Sequence, residues 1–201
     1  MSEKSVFVHP KAICDSDDVG AETRIWAFAH VMAGAKVGAH CNIGECSFIE
    51  AGAVLGDHCT VKNHVAVWDK VACEDYVFLG PSCVLTNDLL PRCEVKRDPD
   101  TEFLPTLIRK GSSVGANAVI VCGVTLGRYS MVGAGAVVTR DVPDFGLVFG
   151  NPAGLKGYAC RCGEPLYEGS LNCRKCGREY EYLKSHSGKG LNPHGLRIIK
   201  E

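Results

Sequence analysis

Four cysteines, Cys160, Cys162, Cys173 and Cys176, fall within the seventeen residues "CRCGEPLYEGSLNCRKC", and a glycine follows each pair. Two close pairs with ten residues between them have the spacing of a four-thiolate metal centre whose pairs each ride a tight turn. Four thiolates in a reducing compartment favour tetrahedral zinc, and four protein ligands leave no open position, so the expected role is structural. The first pair, C-x-C, is tighter than the usual C-x-x-C. Three histidines, His40, His58 and His64, are the other group with ligand chemistry. The remaining eight cysteines scatter from Cys14 to Cys122, and a disulfide framework is not expected to explain them in a chain read as cytosolic.

The elements that must position these groups are announced by a repeat. Positions 7, 13, 19, 25, 31, 37, 43, 49, 55, 61, 67, 73, 79 and 85 hold large apolar residues, with Cys73 the one exception. The beat resumes in a new phase at Ile108, Val114, Ile120, Leu126, Val132 and Val138, and the fourth position after it is small, as in Ala35, Ser47, Ala118 and Ala136. A period of six fits neither an α-helix nor a lone hairpin. It predicts an all-β hexapeptide solenoid: each hexad is one short strand and a bend, three hexads close a triangular coil, and residues eighteen apart stack. Phe7, Ile25, Ile43, Val61 and Leu79 are expected to form one interior ladder. Cys41, Cys59 and Cys83 take the small inward position and Cys73 the aliphatic one, which makes them packing residues rather than nucleophiles. His40 and His58 are expected to stack on one edge, with His64 one edge further round, in bends that face solvent.

The phrases "TRIWAFAHVMAGAKVG", "GPSCVLTN", "PTLIRKG" and "VGANAVIVCG…VVTRDVP…GNPAG" carry a specific resemblance. The chain resembles the left-handed parallel β-helix acyltransferases, and among them the bacterial N-acetyltransferases of UDP-2-acetamido-3-amino-2,3-dideoxy-D-glucuronate that serve surface-polysaccharide synthesis. The likeness runs from about His9 to about Gly157. It implies a homotrimer with acetyl-CoA lying between neighbouring solenoids. On this sequence it implies cofactor turns through Ala116, Asn117, Ala134 and Gly135, with Arg140 and Lys156 near the nucleotide phosphates. It also implies Asn87 as the catalytic residue, and His30, Arg24, Arg92 and Arg109 as contacts to an anionic UDP-amino sugar. An amide cannot serve as a base at neutral pH, but it can donate to an oxyanion or fix the amine, leaving the CoA thiolate to take the proton. Two departures bear on the substrate: Ala27 stands where relatives commonly carry His, and His64 and Trp68 where they tend to carry Asn and Tyr.

Between the two phases the stretch "VLTNDLLPRCEVKRDPDTEFLPTLIRKG" breaks the beat. It reads as a loop insertion over about 88–107 with Asn87 at its root, stiffened and kept out of strand pairing by Pro91, Pro99 and Pro105. The predicted organisation is a solenoid over 1–157, a four-cysteine zinc-ribbon-like segment over 158–182, and a loose or wrapping tail over 183–201. The cysteine segment is placed to cap the last coil.

Bulk properties narrow the field. A formal net charge of -1 without a dense basic run argues against a nucleic-acid groove. The start "MSEKSVFVHP" lacks a signal-peptide pattern and no apolar run is long enough to span a bilayer, so a cytoplasmic protein without membrane insertion is expected. The leading expectation is acetyl-CoA-dependent acetylation of the 3-amino group of a UDP-linked amino-uronate. The alternative is another nucleotide-linked 3- or 4-amino deoxy sugar. Two remoter classes on such a solenoid are a γ-type carbonic anhydrase, which needs three histidines converging at a subunit interface, and a non-catalytic scaffold.

Overall fold

The computed structural model of the chain describes residues 5–166, 170–183 and 195–201. It is a β-solenoid of three faces. The first face carries eight parallel strands, one per coil, from Phe7–Val8 and Arg24–Ile25 to Met131–Val132 and Gly146–Phe149. The second carries Ile13–Cys14, His30–Val31, Phe48–Ile49 and Ala66–Val67, then a separate sheet of Val84–Leu85, Val119–Ile120 and Val137–Val138. The third runs from Lys36–Val37 to Thr125–Leu126. The only helix among the described residues is Pro99–Glu102.

Most strands are two residues long because that is all a face needs: one side chain points out and the next points in. Ile25, Ile43, Val61, Leu79 and Val114 stack in register and are at most 1% exposed. A fully buried aliphatic of this kind contributes about 1.5–3 kcal/mol. The small residue four places on lies inside the bend, and Ala35, Ala53, Ala118 and Ala136 are fully buried. Gly115 shows why the bends stay tight, since a Cβ there would lie 2.5 Å from the backbone nitrogen of Ala134 in the next coil.

The first coil departs from the expected register. Phe7 pairs with Arg24 and Val8 with Ile25, while Ile13 pairs with His30 and Cys14 with Val31. Val8 and Cys14 therefore take the register of the inward places, though in this end coil Val8 is still 40% exposed, while Phe7 and Ile13 are 44% and 53% exposed. Val19 bridges Val37, so the slip of one residue lies between Cys14 and Val19.

The interior cysteines pack as expected. Cys41, Cys59, Cys73 and Cys83 are buried, with the thiols of Cys41 and Cys59 donating to the carbonyls of Gly56 and Glu74 at 3.1 and 3.2 Å. Burial pushes the Cys83 thiol up to about 12, which removes it from nucleophilic chemistry at neutral pH.

At the far end the strand Gly154–Ala159 turns back antiparallel on Gly146–Phe149, and Pro165–Leu166 pairs with it. Glu179–Tyr182 and Leu196–Lys200 form an antiparallel pair. A second core of Phe145, Tyr158, Cys160, Cys173, Tyr180 and Leu196 joins this cap to the last coil. The final residues thus wrap back onto the cap, whereas 184–194 of the expected tail lie outside the described residues.

Candidate active site and metal centre

The solenoid distributes the candidate residues by coil and by edge. Asn87 stands in the fifth coil on the edge between the second and third faces, just past Val84–Leu85. There the chain leaves the solenoid and returns at Thr106–Ile108, so that Cys73 pairs with Ile108, 35 residues on. Adjacent coils on this face, Leu55 to Cys73 and Ile108 to Leu126, take 18, so the excursion adds 17 residues.

The excursion is tied down rather than loose. The Leu104 amide donates to the Asn87 carbonyl at 2.9 Å and closes the root. Asp98 caps the short helix by accepting from the Asp100 amide, and Pro99 fits its first turn. The Lys70 ammonium donates to the carbonyls of Pro99, Asp100 and Phe103 at the helix end, pinning it to the fourth coil. Arg97 lies 3.5 Å from both Asp88 and Glu102. Leu89, Leu90, Pro91, Arg92, Val95 and Arg97 line a shallow depression on the excursion. The half-buried Asn87 amide itself makes no side-chain hydrogen bond among the described residues, so it is available to a ligand.

The predicted cofactor residues lie beyond Asn87, in the sixth coil and later. Ala116 and Asn117 form the bend after Ser113–Val114, and Ala134 and Gly135 the bend after Met131–Val132, so the two bends stack on the edge between the first and second faces. The Gly135 amide donates to the Ala116 carbonyl at 2.9 Å. Asn117 and Gly135 both adopt left-handed φ. Arg140 is exposed on the edge that Asn87 occupies, two coils on, and exposed Lys156 lies over the Phe149 ring at 5.7 Å.

The predicted substrate contacts divide. Arg24 points outward from the first face in the second coil, and Arg92 is exposed on the excursion. His30 sits on the second face, its Nε2 3.0 Å from Asp15. Arg109 lies on the edge between the third and first faces, with Glu74 and Asp144 at 3.6 and 4.0 Å. His40 and His58 stack at 4.6 Å, Tyr76 continues the column at 4.6 Å, and His64 occupies a different edge. Within one chain the three histidines therefore do not come together.

The one group among the described residues that could hold a metal is the cysteine quartet, whose four sulfurs lie within 4.8 Å of one another. Cys160 and Cys176 are 3.4 Å apart and Cys162 and Cys173 3.6 Å. Tetrahedral zinc with bonds of about 2.3 Å needs sulfurs about 3.8 Å apart, which this cluster fits. Tyr180 donates its hydroxyl to Cys160 at 3.0 Å and Arg178 its guanidinium to Cys176 at 3.3 Å. A hydrogen bond from the Arg178 backbone brings the exposed Cys176 thiol down to about 6, whereas burial pushes Cys160 up to about 12.

Comparison with known proteins then assigns the family. Residues 18–51 and 105–140 match the bacterial transferase hexapeptide (six repeats) family. The chain is 47% identical, over 90% of its length and 93% of the relative's, to the dTDP-3-amino-3,6-dideoxy-alpha-D-galactopyranose 3-N-acetyltransferase of Aneurinibacillus thermoaerophilus. The chain belongs to the hexapeptide-repeat acetyltransferases. Among solved structures, the transferase shares its fold with an N-acyltransferase, AntD, from Bacillus cereus in complex with dTDP and coenzyme A, at a TM-score of 0.50 and 16% identity over 79% of this chain and 83% of that one. The acetyltransferase domain of PglB from Neisseria gonorrhoeae, in complex with acetyl coenzyme A, is 26% identical at a TM-score of 0.49 over 76% of this chain; the transferase spans 58% of that chain. None of the helices described is long and apolar enough to cross a membrane.

Proposed function

We propose that the transferase moves the acetyl group of acetyl-CoA to the 3-amino group of a dTDP-linked 3-amino-3,6-dideoxyhexose. The observation that carries this is the 47% identity, over nearly all of both chains, to an acetyltransferase named for such a sugar. It favours a dTDP-linked 3-amino-3,6-dideoxyhexose over the UDP-linked 3-amino-uronate that the motifs suggested. In a panel with acetyl-CoA, kcat/KM for the dTDP-linked 3-amino deoxy sugar should exceed that for the UDP-3-amino-uronate by about a hundredfold. Equal or better use of the uronate would sink the assignment.

Asn87 is the catalytic residue in this reading, and the bends of Ala116, Asn117, Ala134 and Gly135, with Arg140 and Lys156, receive acetyl-CoA. Those bends and Asn87 lie on the two edges bounding the second face. The functional unit in this reading is a homotrimer, with the groove for both substrates between neighbouring copies. The excursion covers the sugar end: deleting residues 93–103 should raise the KM for the nucleotide sugar severalfold while acetyl-CoA binding is unchanged. A matching rise in the KM for acetyl-CoA would place the excursion over the cofactor instead.

The four cysteines belong to the same reading as a structural zinc centre, supported by sulfur spacings that a tetrahedral ion fits. Metal analysis of a reduced preparation should give one zinc per chain.

A further inference from the structure

Asn87 divides the solenoid. Every proposed cofactor residue lies in the coils beyond it, which leaves the second to fourth coils of the second face for the other substrate. Three rings occupy that tract. His30 and Phe48 are opposite each other in register and meet edge to face at 5.6 Å, and Phe48 meets Trp68 at 5.7 Å. All three are partly exposed. Trp68 stands on Asn87's own edge, one coil before it, so the rings run as a continuous strip away from the reaction centre.

We infer that this strip, ending in the Asp15–His30 pair, is the binding site for the pyrimidine base of the nucleotide sugar. This rests on the reading of Asn87 as the place of acetyl transfer. Two features select the ligand. The first is reach: three coils at about 4.8 Å separate Asn87 from His30, about 14 Å, a distance an extended nucleoside diphosphate sugar spans between its base and its hexose amine. The second is chemistry at the far end. A pyrimidine-dione presents an imide N–H between two carbonyls. Asp15 is a carboxylate with 56% of its side chain exposed, and it holds the imidazole of His30 by Nε2 at 3.0 Å. One oxygen of Asp15 can accept the imide proton, and Phe48 and Trp68 supply apolar ring surface for the base.

The test compares wild type with Phe48→Ala and Asp15→Asn, on the dTDP-sugar, on the same amino sugar as its base-free 1-phosphate, and on acetyl-CoA. Phe48→Ala should raise the KM for the dTDP-sugar about tenfold, the usual cost of a lost base–ring stack. Turnover of the 1-phosphate and the KM for acetyl-CoA should be unchanged. Asp15→Asn, an exposed change, repeats the pattern without touching the core. Binding of dTDP alone, read by quenching of Trp68 emission in a Trp26→Phe background, should weaken in both variants. If both variants bind dTDP as wild type does, or if the loss appears in acetyl-CoA, the base lies elsewhere. If wild type acetylates no nucleotide sugar yet binds dTDP in this way, the base site stands and the assignment of the reaction falls.

Discussion

Replacing Asn87 by alanine lowers kcat about a hundredfold or more and leaves the KM for acetyl-CoA within about twofold. The reaction needs an amine to attack the thioester carbonyl, a donor for the oxyanion that develops, and a destination for one proton. The C–N bond forms, the C–S bond breaks, and the departing thiolate can take the amine proton, so no protein base is required. None of the histidines discussed above shares Asn87's edge: His40 and His58 are on one other edge, His64 is on another, and His30 is on the face. In the proposed reading the amide of Asn87 is the donor to that oxyanion. A structural explanation of the loss is separable from a chemical one. It is the backbone carbonyl of Asn87 that accepts from Leu104, so the alanine variant keeps the root of the excursion closed. Asn87→Asp sharpens the result, because a carboxylate keeps the shape, loses the donor and adds repulsion toward an oxyanion. It should be at least as impaired as alanine.

Cys173→Ser has the largest expected effect on stability. In the proposed zinc centre, three remaining thiolates should no longer retain the ion, and the cap should lose several kcal/mol of metal-linked folding energy. The loss should be confined to the cap. Its apolar cluster, built on Phe145, Tyr158, Tyr180 and Leu196, is distinct from the continuous core of the solenoid. Amide exchange should therefore rise at 179–182 and 196–200, the two strands held beside the cysteines, while the ladder around Val61 and Leu79 keeps its protection. Chelation of the wild-type protein should give the same pattern. Unchanged protection in the cap after metal loss would mean that the paired strands and Tyr180 hold it without zinc.

These particulars show where the sequence was legible. The solenoid could be read because steric need is stamped at each inward position, and the cysteine centre because its ligands are local. The one-residue slip in the first coil could not, since Phe7 and Val8, like Ile13 and Cys14, are adjacent apolar residues that satisfy either phase. The pairing of Arg109 with Asp144, two coils away on the same edge, was equally out of reach of local reading. The ring strip was hidden because Phe48 and Trp68 are twenty residues apart, off the eighteen-residue coil period, and touch only because one is on a face and the other on the edge.

The most direct measurement of the central claim is release of free CoA from acetyl-CoA in the presence of dTDP-3-amino-3,6-dideoxyhexose, with mass analysis of the sugar product. The account predicts stoichiometric thiol release and a nucleotide sugar heavier by one acetyl group on its 3-amino nitrogen. Thiol release no faster than without the sugar, or an acetyl group found elsewhere on the product, would contradict it.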